Sequence, residues 1–213
     1  MNRKAIVGAI ALAVAFGPAT QAFATSRTYD GTGWHIASEV GVQYLDTHTW
    51  YVEFYDTYTY TKMAVYARLT ASELQKDTGV PFKVTSMVAP TYKDASCPEH
   101  SAAGSHRIVI RLDPSTDRSY SYICGYQNHA DGSKVMFSQK NWDTKGEVYR
   151  RHVMSHELGH SVGLGHSPKC QQPGTDPLMC GDYWGGYYDK ANAQKYTTYD
   201  IAGLKQLVKN RSL

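Results

Sequence analysis

The stretch His156-Glu157-Leu158-Gly159-His160-Ser161-Val162-Gly163-Leu164-Gly165-His166 puts three imidazoles, a carboxylate and a glycine bend into eleven residues. His156 and His160 are four apart, so on a helix they lie one turn apart on one face and can grip a single metal ion. Glu157 stands beside the first ligand, close enough to hydrogen-bond a metal-bound water without ligating the metal. A continuing helix would carry the chain past the metal. Gly163, free to take positive φ, can end the helix and turn the chain back so that His166 approaches as the third ligand.

Three neutral imidazoles leave a fourth position open, the arrangement that separates catalytic from structural zinc sites. Zinc lowers the pKa of its water to roughly 7, and Glu157 can take that proton as the water attacks a carbonyl. One Zn2+ ion is therefore the expected cofactor, His156, His160 and His166 its ligands, and Glu157 the catalytic base.

The run resembles the extended signature of the metzincin clan of zinc metallopeptidases, H-E-x-x-H-x-x-G-x-x-H, at every defined position. With average residue usage, a chance match in a chain this long arises roughly once in a hundred thousand. The clan also carries a methionine-containing turn below the metal. Pro177-Leu178-Met179-Cys180-Gly181 is similar to it, with Met179 thirteen residues after His166 and Pro177 and Gly181 as turn formers. The resemblance implies an α+β catalytic domain of the small matrixin-like kind. Such a domain has a twisted mixed sheet of about five strands, a zinc-bearing active-site helix and a C-terminal helix. It also implies endopeptidase activity on a peptide or protein substrate.

Outward from the motif, the N-terminus reads as a secretory signal peptide over residues 1–24. Arg3 and Lys4 precede the apolar stretch from Ala5 to Phe16, and Ala22-Phe23-Ala24 offers a cleavage site. A secreted, extracellular protein follows, with no membrane span in its mature form. Removing Arg3 and Lys4 from the 22 basic residues leaves 20 against 19 acidic ones. Near neutrality argues against nucleic acid as a partner, and the remaining 189 of 213 residues suit one domain and a monomer. Residues 25–48 read as an N-terminal arm or short pro-segment, and 49–213 as the catalytic domain.

Cys97, Cys124, Cys170 and Cys180 form an even set in an exported chain, which points to two disulfides. Three pairings exist. The favoured one joins Cys170 to Cys180 across the loop before the methionine turn, leaving Cys97 with Cys124. No D-x-D-x-D-G loop supports calcium, although calcium binding stays open.

Alternation of aromatic and β-branched with polar residues predicts a first strand over Thr49–Tyr58. A helix follows over Met63–Thr78, stopped by Gly79, and then strands over Phe82–Val88 and Arg107–Leu112. Residues 89–105 read as a loop. Strands over Ser121–Asn128 and Ser133–Ser138 flank an expected hairpin turn at His129-Ala130-Asp131-Gly132. The zinc helix spans Glu147–His160, with Asp143 or Thr144 as its cap. A closing helix starts near Thr197, whose pairing with Asp200 mimics a capping box.

By the clan's pattern a peptide adds to the sheet edge as an antiparallel strand. That edge is expected around Ile123–Asn128, with Val135–Ser138 as the alternative. The wall of the specificity pocket is expected over Gly181–Tyr188. His152, one turn before His156, reads as a surface or supporting residue rather than a ligand. His35, His48, His100, His106 and His129 read as surface residues, with His100 and His106 as candidates for a second, structural metal site. Two other functional classes fit the motif: a catalytically silent binding protein and a zinc hydrolase of non-peptide amides. Retention of Glu157 weighs against the first, and the lack of a cell-wall-binding module against the second.

Overall fold

The structure is a computed structural model in which residues 26–86, 106–126, 128–168, 170, 177–180 and 194–213 are described. The expected signal peptide at 1–24 and the expected loop at 89–105, with Cys97 and His100, lie outside the described residues. The class is α+β, as expected, and among the described residues the main sheet has six strands, against about five expected.

Strand β4 (Trp50–Phe54) pairs in parallel with β5 (Phe82–Val84) on one side and β6 (Arg107–Asp113) on the other. β6 continues in parallel to β8 (His129–Ser138), and β7 (Tyr120–Tyr126) closes the far side of β8 as its antiparallel neighbour. The short β3 (Tyr44–Leu45) lies parallel to the first residues of β8. Near the N-terminus, β1 (Asp30–Gly31) and β2 (Trp34–His35) make a separate two-stranded ribbon.

Helix α1 (Thr57–Thr78) starts six residues before the expected position. Its threonines and tyrosines favour strand in isolation, but the Asp56 carboxylate accepts the Thr59 N–H at 2.7 Å and caps the helix there. Thr59, Met63, Ala64, Ala67, Ala71 and Leu74 then fall on one buried face at helical spacing. Gly79, at φ +73°, ends the helix as predicted.

The expected hairpin turn at His129–Gly132 is not a turn. Those four residues open β8, where Gly132 pairs with both Arg107 and Cys124 and Asp131 is fully buried. The reversal comes just before them, with Asn128 in the left-handed region at φ +70°. Asp143 and Thr144 do not cap the histidine-bearing helix either. They belong to a short helix, α2 (Gln139–Thr144), and Gly146 precedes α3 (Glu147–Ser161) without a side-chain cap. Helix α4 (Thr198–Asn210) does carry the capping box read from Thr197 and Asp200.

Helices α1 and α3 pack on each other; α1 also contacts β4, β5 and β6, and α3 contacts β7 and β8. The core between them is filled by Trp50, Phe54, Met63, Ile108, Ile110, Phe137, Met154 and Leu158. Residues of the N-terminal arm enter this same core. Ile36, Val42 and Leu45 are all fully buried, and the buried Asn210 of α4 donates to the carbonyls of Thr28 and Gln43 at 2.8 and 2.9 Å. Among the described residues no helix is long and apolar enough to cross a membrane.

The cysteine pairing departs from expectation. Cys170 and Cys180 are not joined to each other, and the Cys170 Sγ–H donates to the carbonyl of Ser167 at 2.9 Å. Cys124 is disulfide-bonded, and its expected partner Cys97 is outside the described residues.

Packing of the arm into the core carries an energetic consequence. Ile36→Ala should lower unfolding stability by about 2–5 kcal/mol, the usual cost of emptying a buried aliphatic site. Chemical denaturation of the mature protein checks this, and an unchanged midpoint would show that the arm is not part of the folding unit.

Candidate metal centre

Helix α3 presents His156 and His160 one turn apart, and both rings reach one point. The Nε2 atoms of His156 and His160 are 3.1 Å apart, and His160 Nε2 is 3.2 Å from His166 Nε2. On the opposite side of two of these rings, Nδ1–H donates to backbone: His156 to the Leu178 carbonyl at 2.9 Å and His160 to the Leu164 carbonyl at 2.7 Å. Those bonds fix the tautomer, so the converging nitrogens of His156 and His160 carry lone pairs and no protons. Unprotonated nitrogens this close repel one another unless a cation lies between them. The donor set therefore fits a zinc ion, and the three residues are a group able to hold a metal. Burial and the neighbouring His166 hold the His160 pKa down at about 4. Burial and the neighbouring His160 push His156 well below the ordinary imidazole range. Both rings are neutral, as ligands must be.

His166 arrives through the bend. Gly163 sits at φ +108°, and a Cβ there would stand 2.6 Å from Val42 Cγ1, so only glycine suits the position. Its N–H bonds the His160 carbonyl at 2.8 Å and the Leu164 N–H bonds Gly159 at 3.0 Å, closing the helix end. The N-terminal arm braces the bend: Ala37 N–H donates to the Gly163 carbonyl and Gly165 N–H to the His35 carbonyl, both at 2.9 Å.

Met179 lies in the turn that Cys180 N–H closes onto the Pro177 carbonyl. It is 2% exposed, and a Cβ on Gly159 would stand 2.5 Å from its sulfur, so the turn packs directly under α3 between the first two ligands. The anchor of this turn is Asp200. Its carboxylate accepts the N–H groups of Leu178 at 2.8 Å and Met179 at 3.1 Å while also accepting from Thr197. The capping box of α4 thus also holds the carbonyl of Leu178 against His156. The sequence marked Asp200 as a helix cap; nothing in it marked the reach to the turn.

Glu157 is buried beside the ligands, and Ser121 of β7 donates its hydroxyl to it, lying 2.9 Å from Oε2 and 2.6 Å from the Glu157 carbonyl. Ser121 is a site residue the sequence did not reveal, since a serine in a strand has no distinguishing pattern. A cleft of about 690 Å³ runs past these groups, lined among others by Val40, Tyr120, Ser121, Ile123, Glu157 and Cys170. Among the described strands β7 pairs only with β8, whereas β8 is flanked on both sides. The sheet edge at the cleft is therefore β7, and Val135 and Met136 lie between β6 and β7.

The other histidines divide. His152 is buried and stacks on His156 with centroids 5.7 Å apart, so it supports the ligand ring from the preceding turn. His35 bridges Asp30 and Glu39, and His48 bonds Asp46 at the surface. His106 and His129, expected at the surface, are buried instead, because they stand where β6 and β8 enter the sheet. The pocket-wall stretch 181–188 lies outside the described residues.

Asp200→Ala should leave two buried N–H groups unsatisfied, costing about 1–3 kcal/mol of stability. It should also weaken zinc binding about 10- to 100-fold by releasing the support of His156. Zinc titration of the folded variant decides this, and wild-type affinity would refute the link from turn to ligand. In comparisons with known proteins, no family model and no curated sequence matches this chain.

Proposed function

We propose that this protein is a secreted zinc-dependent endopeptidase of the metzincin kind. The observation that carries the reading is the convergence of three imidazole nitrogens beside a buried carboxylate, in a cleft bordered by a sheet edge. The N-terminal signal pattern and Met179 under the helix support it further.

His156, His160 and His166 would hold the ion. When bound, zinc supplies Lewis acidity toward a carbonyl oxygen and a lowered pKa for water. Glu157 takes the proton from the attacking water and delivers it to the nitrogen of the departing amine. Ser121 holds the Glu157 carboxylate in place, so the base is presented in one orientation. The outer edge of β7 offers its backbone N–H and C=O groups to an extended substrate, which pairs as an added strand. Since the hydroxyl that positions Glu157 comes from this same strand, substrate docking and base placement share one element.

Glu157→Ala should retain zinc and fold while peptide hydrolysis falls about 10²–10⁴-fold, the usual contribution of a positioned acid–base group. Cleavage of a diverse peptide library, with and without a zinc chelator, measures both the variant and the metal requirement. Near-normal turnover by Glu157→Ala, or cleavage indifferent to the chelator, would overturn the mechanism. Ser121→Ala should reduce kcat with little change in zinc content, and an unaltered kcat would remove Ser121 from the machinery.

A further inference from the structure

A second convergence lies away from the cleft, where the parallel strands begin. Asp46 follows β3, His106 immediately precedes β6, and His129 opens β8. All three side chains are buried, and one ligand atom from each lies within 4.8 Å of the others. The Asp46 Oδ2 atom is 3.5 Å from His106 Nε2 and 3.8 Å from His129 Nε2.

Three observations separate this cluster from an ordinary ion-pair network. First, His106 Nε2 is buried and has no hydrogen-bond partner, although the residue is only 5% exposed. A buried polar atom left unsatisfied costs about 1–3 kcal/mol, so its persistence calls for a ligand. Second, the His106 backbone is held in the left-handed region at φ +42°. For a non-glycine residue that is a strained conformation, stored where the surroundings impose it. Its N–H is pinned by the Asp131 carbonyl at 2.6 Å. Third, the rings are clamped by aromatic neighbours: Tyr44 stacks on His129 at 5.3 Å, and Trp50 meets His106 edge-on at 5.4 Å. Rings fixed in this way present their nitrogens without further ordering cost. The other Asp46 oxygen, Oδ1, is already engaged by His48 at 2.7 Å, with Arg211 at 3.6 Å, which leaves Oδ2 directed to the two buried rings.

We propose that Asp46, His106 and His129 form a second metal site, one that takes a divalent transition metal such as zinc and serves a structural role. Two imidazoles and one carboxylate are a borderline donor set, suited to zinc rather than to calcium or magnesium. The three ligands come from three separate chain segments, so the ion ties the start of β6 and of β8 to the segment leading into β4. Binding free energy at such a site appears as folding stability. The site stands apart from the His156 cluster and does not depend on the reading of that cluster as catalytic.

The test is zinc stoichiometry in the full mature chain, stripped with chelator and reloaded by equilibrium dialysis. Wild type should bind about two equivalents, and the double variant His156→Ala/His166→Ala about one, with zinc still raising its melting temperature. Adding Asp46→Asn and His129→Gln to that variant should abolish the remaining equivalent, with circular dichroism verifying the fold. As a gain-of-signal measurement, His106→Cys in the double variant, loaded with Co(II), should show thiolate-to-metal charge-transfer absorption. The proposal is overturned if the double variant binds no zinc, if the remaining equivalent survives Asp46→Asn with His129→Gln, or if the Co(II)-loaded cysteine variant shows no such band. One equivalent in wild type that is lost on changing Asp46 and His129, but not His156 and His166, would uphold this site while removing the catalytic one.

Discussion

Three converging imidazole nitrogens, with those of His156 and His166 each about one hydrogen-bond length from that of His160 and no proton between the first two, are the constraint around which the local structure is organised. Each element nearby contributes to holding them. Helix α3 sets the spacing of His156 and His160. The bend at Gly163 returns His166, and the N-terminal arm bonds that bend on both sides of Leu164. Backbone carbonyls of Leu178 and Leu164 fix the ring orientations, and Asp200 fixes the turn that supplies one of those carbonyls. A metal at the centre would convert the repulsion into binding.

The same constraint explains why the middle of α3 is polar yet buried. His152, Ser155, His156, Glu157 and Ser161 are all buried, which a purely apolar core would not tolerate. The neighbours answer with polar groups. Thr70 of α1 meets Ser155 at 2.9 Å, Ser133 of β8 meets Ser161 at 2.8 Å, and Ser121 of β7 meets Glu157. These hydroxyls tie α3 to the first helix and to two strands. The placement of β7 as the antiparallel edge follows from the topology, because β8 is already flanked by β6 along most of its length. A strand that borders a cleft and touches the base is therefore a consequence of sheet order as much as of side-chain chemistry.

Legibility in the sequence varied with the range of the interaction involved. The convergence of His156, His160 and His166, the Gly163 bend, the Gly79 stop and the Thr197 capping box are all readable, since each is specified within a few residues. The start of α1 is hidden because the tyrosines and threonines after Asp56 favour strand locally, a preference overridden by the Asp56 cap together with burial of Thr59 and Met63. The Asp131-Gly132 pair reads locally as a hairpin turn, but Gly132 pairs with both β6 and β7, and Asp131 is buried at the register shift beside it, within β8. Cys170 and Cys180 looked like a staple, yet one thiol is turned back onto its own loop. His106 and His129 looked like surface residues, because their meeting with Asp46 spans segments far apart in the chain.

The sequence by itself determined that His156, His160 and His166 meet beside Glu157 and that one helix carries the first two histidines, because four- and six-residue spacings translate directly into positions on a helix and its terminating bend. Tertiary structure alone decided that Asp200 anchors the methionine turn, that Ser121 positions Glu157, that β7 is the sheet edge, and that Asp46, His106 and His129 come together. Those contacts join residues from roughly 20 to 80 positions apart, and their geometry is set by strand order and core packing, which no local pattern encodes.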